Sequence, residues 1–194
     1  METLINIDQE IFEWINNNWS NAFFDTILPF MRRKENWFPF YIVIAAILVY
    51  KYKWKGAFMV LLAILTIVAT DQISSSVIKP LVKRLRPCNN QAVFDQINVL
   101  AKCGSGYSFV SSHATNHFGF AMIMTLMLRS KLAWVFPISF LWASLIAIAQ
   151  VYCGVHYPFD IISGSILGIG LAFLVYLFGK NIAGHIFEDS SFLR

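Results

Sequence analysis

Long apolar runs separated by short polar breaks set the pattern of this chain. Leu4 to Trp19 has a helical rhythm, with Ile7, Ile11, Phe12, Trp14, Ile15 and Trp19 roughly on one stripe and Glu10 and Glu13 off it. The segment is too polar to cross a bilayer and predicts an amphipathic helix lying at the interface, with Asp8 as a cap and Asn16 to Asn21 ending it. Phe23 to Met31 is a brief apolar patch, either a second interfacial piece or the lead-in to a span. Spans need about 20 apolar residues. Trp37 to Tyr50 is somewhat short but is extended by snorkelling of Lys51 and Lys53, and Gly56 to Ile78 is long enough although it carries Asp71 near its end. Ala114 to Leu128, Leu132 to Gln150 and Ile161 to Phe178 follow. The expectation is an all-α, polytopic membrane helical bundle of about five to six transmembrane helices. Residues 1–36 form an interfacial segment before it, and residues 1–194 make one domain.

Composition agrees with that class: 57% of the 194 residues are hydrophobic, and the mean hydropathy is +0.59. The start, Met1-Glu-Thr-Leu-Ile-Asn-Ile-Asp8, has no basic lead of the kind a signal peptide carries. No nucleic-acid motif is visible, and the three cysteines make no metal array. With five spans, the polar breaks at Lys79–Pro87, Phe109–His113 and Tyr152–Gly164 share one side with the N-terminus. The other side receives Lys51, Lys53, Lys55, Arg129, Lys131 and Lys180 with the tail. Short basic loops stay in the cytoplasm, so the breaks are expected to face outward, into the periplasm of a bacterial inner membrane. The cations within the first break run against that rule, and an anion site accounts for them. Cys88 and Cys103 bracket the one sizeable outside loop. They can pair, closing a loop of about 15 residues and contributing about 3 kcal/mol, or remain free thiols. Cys153 has no evident partner.

Each break carries chemistry and also admits a blander reading. Lys79 and Arg86 suit phosphate oxygens, one as a point charge and the other as a planar fork, or they are a stop-transfer cluster meeting headgroups. Ser111, Ser112 and His113 open a helix whose N–H groups and dipole favour an anion, with His113 as proton donor; alternatively a serine caps the helix and the histidine is interfacial. His156 stands four residues before Asp160, whose carboxylate can fix one ring nitrogen and leave the other free to attack; alternatively Asp160 only caps the next helix. Two histidines, two cations and an aspartate on one face read together as an active site. His113 and His117 have a metal-like spacing but no third ligand nearby, so His117 is expected to pack within the bundle. Asp71 is expected to pair with a motif cation, and Gly164, Ser165, Gly168 and Gly170 to allow close helix packing.

These residues resemble the three motifs of the type 2 phosphatidic acid phosphatase family, which shares its site with vanadium haloperoxidases. Lys79, Arg86 and Pro87 match the first motif, Lys-x6-Arg-Pro, in full. Val110-Ser111-Ser112-His113 keeps the serine and histidine of Pro-Ser-Gly-His. His156 and Asp160 match the end of Ser-Arg-x5-His-x3-Asp, but Ala149-Gln150 occupies the Ser-Arg place. The resemblance implies a phosphatase that uses no metal or other cofactor. His156 forms a phosphohistidine, Asp160 orients it, and His113 protonates the leaving oxygen and later activates water. Lys79, Arg86, Ser111 and N–H groups near Ser112 hold the phosphate. Gln150 sits at the remaining phosphate-binding place, where it donates a hydrogen bond but brings no charge, and Lys83 or Arg84 are the candidates to compensate.

The expectation is an integral membrane phosphatase acting on a lipid phosphate or diphosphate in the bilayer: a polyprenyl diphosphate, a lipid A phosphate, phosphatidylglycerol phosphate or phosphatidate. The alternatives are a lipid phosphotransferase that passes the group to another lipid, and a non-catalytic lipid-phosphate-binding or transport protein whose site has lost an arginine at Gln150. Five apolar spans argue against a soluble haloperoxidase.

Overall fold

The computed structural model describes residues 2–186. It consists of α1 (Glu2–Asn18), α2 (Ala22–Met31), a 3-10 turn (Lys34–Trp37), α3 (Phe38–Tyr52) and α4 (Trp54–Gln72). α4 continues through a π-helical turn (Ile73–Ile78) into α5 (Lys79–Val82). A short turn (Pro87–Asn89) and α6 (Gln91–Phe94) lie in the long loop before α7 (Ser112–Leu128), α8 (Val135–Tyr152) and α9 (Pro158–Ile186). Among the described residues there is no strand. The tail expected beside Lys180 lies outside them.

Five helices run at the places where the apolar runs predict spans. Three are long and apolar enough to cross a bilayer: Trp54–Val82, Val135–Tyr152 and Pro158–Ala183. α3 and α7, with 15 and 17 residues, are shorter, reaching about 23 and 26 Å against a hydrocarbon core of about 30 Å. α2 has only 10 residues and does not add a sixth span. The bundle turns its apolar surface outward, as a lipid solvent requires: only 22% of the apolar window of α9 is buried, and Ile166 is 67% exposed.

α7 is the central helix and packs against α4, α8 and α9. Glycines on α9 permit the closest of these approaches. A Cβ on Gly168 would strike the carbonyl of Thr115, and one on Gly164 would lie 2.7 Å from the carbonyl of Ser111. Gly170 faces open space instead, and the Ser165 hydroxyl donates to its own helix at Ile161. Below the polar end, Leu48, Met59, Leu62, Phe120, Ile123 and Met127 form the apolar core.

α1 departs from the expected stripe. Asp8 does not cap it, because the helix begins at Glu2. Instead Asp8, Phe12 and Asn16, spaced i, i+4, i+8, form a buried ridge against the bundle. Leu4, Ile7, Ile11 and Trp14 stay exposed on the other side. Phe12 packs on Val151 and Tyr157, and such a ring contributes about 3–5 kcal/mol over alanine. Asn16 Nδ2 donates to the carbonyls of Tyr152 (2.8 Å) and Asn98 (2.9 Å), and its Oδ1 accepts from Asn98 N–H (2.7 Å). α2 docks through Leu28 onto Ala149, Tyr152 and Cys153, with the Tyr152 hydroxyl bonded to Asp25.

Candidate active site

α5, the start of α7, the α8–α9 turn and the two N-terminal helices all meet at one end of the bundle. The first motif leaves α5 where Lys83 adopts a left-handed φ of 54° and stops the helix. Arg84 to Arg86 then leaves the helix, braced by Ser108, whose N–H donates to the Arg84 carbonyl (2.8 Å) and whose hydroxyl donates to the Leu85 carbonyl (3.1 Å). The disulfide Cys88–Cys103, with Cα atoms 6.0 Å apart, closes the loop beyond. Lys79 Nζ donates to the Tyr107 carbonyl (3.0 Å).

Ser111 caps α7: its hydroxyl accepts from Ala114 N–H (3.4 Å), while its own N–H donates to the Asp160 carbonyl (3.0 Å). That second bond ties the start of α7 to the start of α9. The Ser112 hydroxyl lies 3.0 Å from those of Ser74 and Ser75 on the π turn, a helix irregularity often found at functional sites. His113 is half-buried and stacks parallel to His117 at 6.3 Å. His117 packs as expected, with Nδ1 2.7 Å from the His113 carbonyl and its ring edge-on to Trp142. Asp71 accepts from Asn116 Nδ2 (3.1 Å), so an amide takes the place of the expected motif cation.

In the α8–α9 turn, Gly154 has φ +77°, a conformation that disfavours side chains, and a Cβ there would come within 3.0 Å of the Asn98 carbonyl. This turn lets the N–H groups of Val155 and His156 donate back to the Gln150 carbonyl (3.1 and 3.3 Å). His156, 1% exposed, is thereby held with Nδ1 3.3 Å from Asp160 Oδ2 and Nε2 3.1 Å from Arg86 Nη1. A guanidinium only donates, so Nε2 must accept, and the ring proton sits on Nδ1 and points at Asp160. The tautomer is fixed from both sides. Burial, aided by the charges of Arg86 and Lys79 and opposed by Asp160, pushes His156 down to about 4, so the imidazole is neutral with its lone pair on Nε2. Burial also lowers Arg86 from its ordinary value.

Asp160 is fully buried and accepts from Tyr157 N–H (2.9 Å) and Arg84 Nη1 (2.8 Å). The other arm of Arg84 donates to Asp8 (2.6 Å), which also accepts Phe159 N–H (2.8 Å), and the guanidinium stacks 4.0 Å over Tyr157. Both Nη groups of Arg84 are therefore engaged by carboxylates. Gln150 is fully buried; its Nε2 donates to Ile146 O (3.5 Å), and its Oε1 accepts from Arg32 Nε (3.4 Å). Sequence reasoning missed Asp8 and Arg32 as site residues. The available signals were the Asp8–Phe12–Asn16 ridge and an arginine placed directly after the Phe23–Met31 patch. Cys153 is buried and unpaired, and burial pushes its thiol up to about 11.

Beside His113 lies a polar cavity of about 310 Å³ lined by Arg32, Arg33, Asp71, Ser112, His113 and His117 among others. It shares Lys34, Asp71, Asn116 and His117 with an apolar groove of about 570 Å³ between α3 and α4. Among the described residues, no three His, Cys, Asp or Glu side chains converge as a metal site.

A family model described as the PAP2 superfamily matches residues 60–183. The chain is 32% identical over 193 residues to a lipid A 4'-phosphatase of Bacteroides thetaiotaomicron, covering 98% of this chain and 84% of that protein. A lipid A 4'-phosphatase of Porphyromonas gingivalis is 29% identical over 181 residues, with 91% and 74% covered. The crystal structure of a transmembrane PAP2-type phosphatidylglycerolphosphate phosphatase from Bacillus subtilis superposes with a TM-score of 0.71 at 24% identity, covering 94% of this chain and 89% of that one, and so shares its fold.

Proposed function

The chain belongs to the PAP2 superfamily, and from that premise we propose that it removes a phosphate from a membrane lipid through a phosphohistidine on His156. One observation carries the reading: the His156 imidazole is buried with Nδ1 facing Asp160 and Nε2 facing the Arg86 guanidinium at the cationic end of the site. That is a nucleophile with its proton already on the side away from the phosphate. Lys79, Arg86, Ser111 and the N–H groups at the start of α7 near Ser112 hold the phosphate oxygens. An arriving phosphate draws the Arg86 Nη1 hydrogen away from Nε2, because an anionic oxygen is the better acceptor. Nε2 then bonds to phosphorus as the bond from phosphorus to the lipid oxygen breaks, and His113 gives that oxygen its proton. In the second half, water loses a proton to His113 and attacks phosphorus, breaking the N–P bond and freeing inorganic phosphate. Charge and position supply most of the acceleration.

The two joined cavities support a lipid substrate. The polar one takes a headgroup beside His113, and the apolar groove between α3 and α4 takes acyl chains from the bilayer. The names of the Bacteroides and Porphyromonas relatives favour a phosphate on lipid A. The Cys88–Cys103 bond at the site end, opposite the lysines of the other end, supports a site facing the periplasm from the inner membrane.

Detergent-purified protein, given lipid A, undecaprenyl diphosphate, phosphatidylglycerol phosphate and phosphatidate with EDTA present, should release phosphate from lipid A fastest. His156→Ala should release none. A rate unchanged in His156→Ala, or loss of activity in EDTA, contradicts the mechanism. Transfer to an added lipid without free phosphate would make the enzyme a phosphotransferase.

A further inference from the structure

We propose that Arg32, at the end of α2, supplies the phosphate-binding guanidinium that Gln150 lacks. The inference rests on the phosphatase reading above and assigns it one more binding residue. Gln150 lies six residues before His156, and its main-chain carbonyl anchors the His156 turn. Its amide brings no charge to that place. Arg32 comes to it from a distant part of the chain: Leu28 seats α2 on Ala149, Tyr152 and Cys153, and the next helical turn brings Arg32 Nε within 3.4 Å of Gln150 Oε1. The Tyr152–Asp25 bond fixes the same docking, and Asn21, which accepts from Phe23 and Phe24 N–H, sets the start of the helix.

The guanidinium has reason to be there beyond packing. Among the described residues no carboxylate forms an ion pair with Arg32, although Asp8 and Asp160 both hold Arg84. It lines the polar cavity with Ser112 and His113. One of its five donors rests on Gln150 Oε1, which leaves the Nη fork for an anion. Gln150 thus serves as the seat for an arginine delivered by another helix. Lys83 is exposed and has no such seat.

The test uses the full-length protein in detergent, with two readouts: binding of inorganic phosphate by calorimetry and hydrolysis of lipid A. Arg32→Ala should weaken phosphate binding about tenfold and lower kcat/KM about a hundredfold. Arg32→Lys should fall between Arg32→Ala and wild type. Gln150→Arg in the Arg32→Ala background should restore both readouts, and Lys83→Gln should match wild type. Restoration by Gln150→Arg separates phosphate binding from a merely structural role, since a damaged α2 dock would not be repaired by a second arginine. Equal phosphate binding in wild type and Arg32→Ala overturns the proposal, as does a loss that Gln150→Arg does not relieve. Wild type that binds phosphate through Arg32 yet hydrolyses no lipid defeats the phosphatase reading alone. Wild type that neither binds nor hydrolyses defeats both.

Discussion

The motif-bearing end of the bundle and the N-terminal arm of α1 and α2 reach the same site by different routes. The bundle contributes the proposed reacting groups through local geometry: His156 and Asp160 are four residues apart, and Ser111 stands at a helix start. The arm contributes Asp8 and Arg32 purely by docking, across sequence separations of 76 to Arg84 and 118 to Gln150. The family match spans 60–183 and leaves the arm out. Chemistry fixed by short spacing can be read along a chain, whereas charge delivered by an auxiliary helix cannot.

Asp160→Asn should give the largest effect. The amide would donate towards His156 Nδ1 and move the ring proton to Nε2, facing Arg86, so kcat should fall at least about a thousandfold with the fold retained. Single-turnover kinetics and circular dichroism check this, and a small kinetic effect would break the bundle's claim to the chemistry. Next, Asp8→Ala on the arm leaves Arg84 with one carboxylate and Phe159 N–H without its acceptor. Stability should drop by about 3 kcal/mol and kcat roughly tenfold through misalignment of Asp160. Thermal unfolding paired with kinetics separates the two. If kcat holds while stability drops, the arm is only a brace.

The pH dependence sharpens the comparison further. His156 sits near 4 in the folded protein against about 6.5 when unfolded. Between those values the unfolded chain takes up the proton and the folded one does not, so stability falls as pH drops from 6.5 towards 4. Loss of activity through His156 protonation should come only near pH 4, read as the lower limb of kcat/KM. A His156-dependent loss centred near pH 6.5, located by titrating the ring by NMR, would mean that the burial and cations around it do not govern it. The smallest effect is expected from reducing Cys88–Cys103: about 3 kcal/mol of stability with little change in rate, since none of the proposed reacting groups lies in that loop.

Much of the bundle was legible because lipid imposes long apolar runs and confines polar residues to their ends. The helices, the shared end of the three motifs and the packing role of His117 could all be read that way. Asp8 was read as a cap because a helix start is the commonest use of an aspartate near an apolar stripe. Its real use depends on Arg84, a contact that no periodicity encodes. Arg84 itself looked like a spare cation until two carboxylates were seen to hold it. Gly170 fitted a small-residue stripe in sequence, yet only Gly164 and Gly168 face α7 closely.

His156 is the proposed acceptor of the phosphoryl group. Protein mixed with lipid A labelled in its phosphate and quenched within one turnover should carry the label on the peptide containing His156, and only while His156 is present. His113→Ala should both gain and lose the label more slowly, because the same ring protonates the leaving oxygen and activates water. Rapid phosphate release with no label on His156 at any quench time would contradict the account and point to direct attack by water.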